Sequence, residues 1–247
     1  GGYAELQVTT HFSFLRGASS CEELFAEAAR LGIDALGVTD RNSLAGIVRA
    51  HEAAKAAGVR LVVGCRLDLI DGMSLLVYPT DRPAYSRLCR LLSVGKRRAG
   101  KGKCHLTWDD VVTYQEGLIA IHLPDVADDV CALQMRRLSD VFKDRAYGSL
   151  TLRRRPNDQM RIHQLQEMMH RFKIRAVVTN DVLFHTHERR LLQDIVSCIR
   201  HNCTIDDAGF RRERHADRYL KPPEEIMRLF ARYPEAVARS REIVERC

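Results

Sequence analysis

The chain has 247 residues, 45% of them hydrophobic and 29% charged, a balance that fits a globular protein and not a disordered, collagen-like or low-complexity one. No apolar run approaches the ~18 residues of a membrane-crossing helix, and the first residues lack the basic-then-apolar pattern of a secretory signal, so a cytoplasmic protein without a membrane partner is expected. The formal net charge of +7 suits a polyanionic partner such as nucleic acid, and the length suits one α/β barrel.

In chain order, Glu5–Ser13 reads as a strand. Ser20 and Glu23 have the spacing of a capping box, Leu24, Ala28 and Leu31 follow at helical spacing, and Gly32 stops the helix. Ala35–Thr39 is a short apolar strand and Ser43–Ala57 a helix ended by Gly58. Arg60–Ile70 is a strand, Asp71-Gly72 a hairpin turn and Ser74–Tyr78 the returning strand. Asp81–Val94 is helical, and Gly95–Lys103 (GKRRAGKGK) is expected to be a loop with five basic residues. Trp108–Tyr114 is a short helix and Gly117–Leu123 a strand. The pattern continues with helix Asp128–Lys143, strand Ser149–Arg153, helix Asp158–Phe172, strand Ala176–Asn180 and helix Glu188–Arg200. Short apolar strands alternating with helices predict a parallel sheet or barrel covered by helices.

After about residue 205 the pattern changes, with helix starts at Pro222-Pro223-Glu224-Glu225 and Pro234-Glu235. The expected division is a barrel over 1–204 and a helical connector over 205–247. Ile226, Leu229 and Phe230 share one helical face, Val237 and Ile243 another, and an apolar strip is expected to stay exposed there.

In a barrel the chemistry sits at the C-terminal ends of the strands. Those ends carry His11, Asp40-Arg41-Asn42, Gly64-Cys65-Arg66, His122 and Asn180-Asp181. The eight cysteines are scattered and read as reduced thiols. Cys198, His201 and Cys203 cluster, but without a fourth ligand they are not expected to hold zinc.

The stretches LQVTTHFSFLRG (6–17), ALGVTDRNSLA (35–45), GVRLVVGC (58–65), VTNDV (178–182) and YLKPPEEIMRLF (219–230) occur in the order of one module. They resemble the N-terminal PHP (polymerase and histidinol phosphatase) domain of bacterial C-family DNA polymerases, most closely the error-prone, damage-inducible member. The resemblance implies a distorted (β/α)7 barrel. In active members, His, Asp and Glu side chains at its mouth hold up to three divalent metals. Those metals generate a hydroxide nucleophile and clamp phosphate oxygens, and in some replicative relatives the site is a 3′–5′ exonuclease.

Carried over position by position, the ligands of the resemblance become Gln7, Thr9, Arg16, Arg41, Arg66, Thr151 and Leu183, with Asp181 retained. A guanidinium stays protonated and is no metal ligand, and three arginines in one mouth repel a divalent cation. The expectation is a degenerate site with no catalytic residue and no cofactor. Magnesium is expected only in a palm domain absent from this chain. Arg41 or Arg66 is expected to pair with Asp40, Asp68 or Asp181, so that Arg16, Arg41, Arg66, Asp40 and Asp181 form an ion-pair cluster whose surplus charge would bind an anion.

The function implied is that of a structural or DNA-guiding module of a polymerase that acts in damage-induced mutagenesis and translesion synthesis. The 247-residue chain itself would extend no primer. Implied partners are DNA, palm and thumb domains in the same chain, a sliding clamp and other mutagenesis proteins. Lys96, Arg97, Arg98, Lys101 and Lys103 are candidate DNA-backbone contacts, with further basic clusters at 153–155 and at Arg211, Arg212, Arg214 and Arg218. The competing readings are a free-standing nucleic-acid-binding protein and a metal-dependent phosphoesterase or exonuclease. The latter would need a rearranged site built from His11, His122, Asp40 and Asp181, or from the pair His185 and His187.

Overall fold

The computed structural model describes residues 2–13, 17–186, 196, 199–200 and 218–247. Strands β1 (Glu5–Val8), β2 (Ala35–Val38) and β3 (Arg60–Val63) form one parallel sheet. Strands β4 (Cys65–Asp68), β5 (Ser74–Pro79), β6 (Leu118–His122), β7 (Ala146–Leu150) and β8 (Arg175–Val178) form a second, in that order. Gly64 alone separates β3 from β4, and the bridge between Arg41 and Arg66 carries β2 onto β4. At the other edge Thr9 N donates to Val182 O at 2.9 Å and Val182 N to Gln7 O at 2.8 Å, which joins the extension of β8 to β1. With β3 and β4 counted as one stave, the ring closes as a seven-stave barrel. The expected hairpin at Asp71-Gly72 makes β5 antiparallel to both neighbours, so six staves run one way and β5 the other.

The residue alternation of the staves fits two apolar layers, because successive side chains of a strand face opposite sides. Leu76, Tyr78, Ile119, Ile121, Tyr147 and Val177 fill the barrel interior. Leu75, Val77, Leu118 and Ala120 face the outer helices. Helices α1 (Cys21–Leu31) and α2 (Ile47–Ala57) cover the first sheet. The second is covered by α3 (Arg82–Ala99), α4 (Trp108–Tyr114), α5 (Asp129–Phe142) and α6 (Asp158–Arg171). Ser20 caps α1 with the expected reciprocal bonds to Glu23, and Gly32 ends it in the left-handed region.

Three expectations are corrected. Residues 95–99 are not loop: α3 runs to Ala99 and places Lys96, Arg97 and Arg98 on its last turn. Gly95 sits inside this helix because the returning chain lies against it, and a Cβ there would come within 2.6 Å of Cys104 Sγ and 2.7 Å of a Leu106 methyl. The strand expected at 149–153 is β7 at Ala146–Leu150, where buried Tyr147 and Gly148 belong to the ladder. Helix α2 starts at Ile47 rather than Ser43.

The described part of 205–247 belongs to the barrel's own core. Helices α7 (Pro223–Leu229) and α8 (Pro234–Arg246) follow the expected proline starts. Ile243 and Val244 of α8 close the barrel interior against Tyr78, Leu6 and Tyr147. Ser240 Oγ accepts from Ala4 N at 2.9 Å, and Tyr147 donates to Glu242 at 2.6 Å. Ile226, Phe230, Val237 and Ile243 are buried and Leu229 is half-buried against the core, so these five do not form the exposed strip expected of them. The helix expected at 188–200 lies almost wholly outside the described residues.

Candidate functional site

The ends of β1, β2, β4, β6, β7 and β8 converge on one mouth, and most of the described positions that carry metal ligands in the resemblance are bonded there to neighbouring side chains. Gln7 Oε1 accepts from Thr179 Oγ1 at 2.8 Å, and Thr179 Oγ1 lies 2.8 Å from Thr151 Oγ1. This buried neutral chain links β1, β8 and β7. Thr9 is buried beside it, with its backbone N–H used in barrel closure. Leu183 packs with Ala18 and Phe184 in a small apolar cluster.

Asp40 accepts from Thr10 N at 2.8 Å, Thr10 Oγ1 at 2.7 Å and Ser13 Oγ at 2.9 Å. Burial raises its pKa against these three donors. Asp40 therefore ties β2 to the turn after β1. The expected arginine partner is replaced, among the described residues, by hydroxyl and amide donors.

Asp68 takes the arginines. Arg41 Nε lies 2.5 Å from Oδ2 and Arg66 Nε 3.1 Å from Oδ1, while Ser74 Oγ donates to Oδ1 at 2.6 Å. Burial opposes ionisation of Asp68, but Arg66, Ser74 and Arg41 together hold its carboxyl below the usual range.

Asp181, buried and with φ of 50°, accepts from Arg153 at 3.2 Å and from Arg218. Asp tolerates this left-handed backbone better than most residues. Burial would raise its pKa, but the charges of Arg218 and Arg153 prevail and hold it well below the carboxylate range. Arg218 also donates to the Asp181 carbonyl at 3.0 Å.

Sequence reasoning missed several of these groups. In the sequence Arg153 and Arg218 stand only as parts of basic clusters. Arg161, buried, ties the Asp158 carboxylate at 3.0 Å and the Asp125 carbonyl at 3.0 Å to the Thr151 carbonyl beneath the mouth. Glu5 is buried on β1 and accepts from Tyr3 OH at 3.1 Å, Gln7 N at 3.2 Å and Asn180 N at 2.9 Å. Burial, despite these donors, pushes its pKa up to about 8. A carboxylate at the start of an apolar strand gives no sequence signal of such burial.

Among the described residues, the histidines of the competing reading do not come together as a metal-binding set. His11 is exposed beside Phe12, whose ring centroid is 4.9 Å away. His122 is buried with Nε2 2.9 Å from Gln134 Oε1. His185 Nδ1 lies 2.7 Å from Ser19 Oγ, and its other nitrogen 3.7 Å from Glu23. His187, Arg16, Arg211, Arg212, Arg214, Cys198, His201 and Cys203 lie outside the described residues.

Among the described residues, no group of three His, Cys, Asp or Glu side chains comes together as a metal-binding set. The described donors of the mouth do not fit a divalent ion cluster. Arg41, Arg66, Arg153 and Arg218 already saturate Asp68 and Asp181, and Arg200 lies close enough to the first two for its own pKa to fall, through burial and then their charge.

Lys96, Arg97, Lys101 and Lys103 line an open cleft of about 940 Å3 on the rim, together with Arg41 and His105. Arg98 points elsewhere: its guanidinium pairs with Asp110 at 2.5 Å and pulls that carboxyl down to about 2. Of the basic cluster at 153–155, Arg153 holds Asp181 and Arg155 pairs with Asp125 at 2.7 Å.

This closed α/β barrel with one reversed stave is a PHP-type fold. It is shared with a Bifidobacterium adolescentis structure described as a metal-dependent phosphoesterase, with a TM-score of 0.55, 13% identity, and coverage of 72% of this chain and 86% of that one. An amidohydrolase from Chromobacterium violaceum has the same TM-score of 0.55 at 15% identity, covering 74% and 88%. The PHP domain family model matches residues 5–151, and the chain belongs to the PHP domain family. It is 71% identical over 245 residues to error-prone DNA polymerase 1 of Agrobacterium fabrum, a match covering 99% of this chain and 22% of that protein. It is 50% identical over 246 residues to the error-prone DNA polymerase of Caulobacter vibrioides, covering 99% and 23%. The chain thus spans about a fifth of the length of these relatives. No helix among the described residues is long and apolar enough to cross a membrane.

Proposed function

We propose that this chain is the PHP domain of an error-prone, DNA-directed DNA polymerase and that its barrel serves that enzyme as a structural brace rather than as a hydrolase. The observation that carries the polymerase reading is the 71% identity that extends over 99% of the chain to an error-prone DNA polymerase. The brace reading is supported by donor chemistry: apart from Asp181, which two arginines hold, positions that carry metal ligands in the resemblance have amide, hydroxyl, aliphatic and guanidinium groups, and those described are bonded or packed within the barrel.

On this reading the mouth's ion pairs do the mechanical work that metal–carboxylate bonds do elsewhere. Asp68 joins the extension of β2 to β4, and Asp181 joins the segment after β7 to residue 218. DNA, palm and thumb domains in the same polypeptide, a sliding clamp and other mutagenesis proteins are its proposed partners. Magnesium is placed in the palm domain, and the setting is the bacterial cytoplasm.

The test uses the complete polypeptide that contains this chain. Magnesium-dependent extension of a primer supports the polymerase reading, and no extension overturns it. Degradation of the labelled primer that Asp181→Ala abolishes, with extension intact, would overturn the brace reading and restore a hydrolytic mouth.

A further inference from the structure

The rim cleft between α3 and the turn after β2 has a composition that the brace role does not need. Lys96, Arg97, Lys101 and Lys103 line it together with Arg41, and no carboxylate and no Phe, Tyr or Trp side chain lines it. Among the described residues none of the first four has a carboxylate within ion-pair distance. By contrast Arg98, on the same helical turn, is bound to Asp110 and to the His105 carbonyl at 3.2 Å.

The cations sit on a fixed frame. His105 N donates to Gly95 O at 3.0 Å, Gly100 N to Lys96 O at 3.1 Å and Lys103 N to Gly100 O at 3.3 Å. Gly100 and Gly102 adopt φ of 83° and 77°, which lets the short loop turn back on the helix. Cys104 and Leu106 are seated against Gly95. Four like charges that line one cleft repel one another, a cost that a bound polyanion would offset.

We infer that this cleft is a binding site for the phosphodiester backbone of duplex DNA, without base readout. Mobile lysines and an arginine suit phosphate oxygens, which position a duplex and carry no sequence information. No Phe, Tyr or Trp lines the cleft, and the His105 imidazole alone offers little stacking surface to the bases of a single strand. That the polyanion is DNA rests on the polymerase reading above. The cleft's charge and frame do not.

The test is fluorescence anisotropy of a labelled random-sequence duplex with the 247-residue chain, across a salt series. Lys101→Glu with Lys103→Glu is compared with Lys55→Glu with Lys173→Glu, which makes the same charge change next to Gly58 and before β8, at the opposite end of the barrel. The cleft pair is expected to weaken binding at least ~10-fold near 0.1 M salt and to flatten the log–log salt slope by about 2, since each lost phosphate contact removes ~0.9. The control pair is expected to leave the slope within ~0.5 of the parent. Equal losses for both pairs, or no loss for the cleft pair, would overturn the inference. So would displacement of the duplex by poly-glutamate at matched charge, which would mark a surface for acidic peptides. Primer extension by the complete polypeptide separates the two readings: extension without cleft binding refutes only the cleft, and cleft binding without extension refutes only the polymerase.

Discussion

Arg41 and Arg66 are partners across a parallel β-bridge, and both direct Nε to the carboxylate of Asp68, one to each oxygen. A single acid thus binds the extension of β2 to β4 where that side of the barrel narrows to one bridge. Asp68→Ala removes both pairs and the Ser74 bond. Because Arg41 is 39% exposed, water recovers part of the loss, and the expected cost is roughly 1–2 kcal/mol, read as a lower urea midpoint at unchanged slope.

Asp181→Ala is expected to cost more, roughly 3–5 kcal/mol, because it strands two guanidiniums that are less exposed and puts alanine at a positive φ. The Asp181 carboxyl lies below its ordinary pKa in the fold. Its contribution is therefore complete above pH ~4, where the unfolded chain ionises, and fades as pH falls further. The penalty of Asp181→Ala should shrink between pH 7 and pH 3. A double-mutant cycle with Arg218→Ala should show coupling, and additive losses would refute direct pairing.

Glu5 has the opposite sign. Its folded pKa, about 8, lies above that of the unfolded chain, so stability is full at low pH and lost as pH rises from ~4.5 toward 8. Glu5→Gln keeps an oxygen for the Asn180 and Gln7 amides without carrying charge. Relative to the parent, this variant should gain stability steadily from pH 5 to pH 8 in parallel denaturation curves. A pH-independent difference would mean that Glu5 titrates normally.

Gly95→Ala tests the seam behind the basic cleft. Alanine is the better helix former by about 1 kcal/mol, yet the new methyl would meet Cys104 Sγ and Leu106. The expected result is a net loss of roughly 1–3 kcal/mol, with partial recovery of the thermal midpoint when Cys104→Ala is added.

Features set by neighbouring residues were legible in the sequence. Ser20 with Glu23, Gly32 and the Asp71-Gly72 hairpin all form as spacing predicts, since a cap or a turn needs only a few contiguous residues. The family resemblance carried the seven-stave barrel and located the altered mouth positions. Legibility ended where distant chain segments meet. Asp181 takes partners 28 and 37 residues away, and the side-chain space at Gly95 is closed by residues that return after the helix ends. A glycine followed by basic residues looks the same in a loop as beside a crowded sulfur. Likewise Tyr147-Gly148 joins a strand because β6 and β8 flank it, not because of local alternation.

The reversal of β5 sets the polarity of the rim. Helices that follow forward-running staves begin at the mouth and end at the base. Helix α3 follows the reversed stave, so it begins near Asp81 at the base and delivers its carboxyl end to the mouth. That end is the negative pole of the helix macrodipole, and it favours cations in the final turn. Lys96 and Arg97 therefore stand on a stretch of backbone that stabilises them as a group before any ligand arrives. A single hairpin, by inverting one strand, turns the cation-favouring end of a helix toward this edge of the barrel.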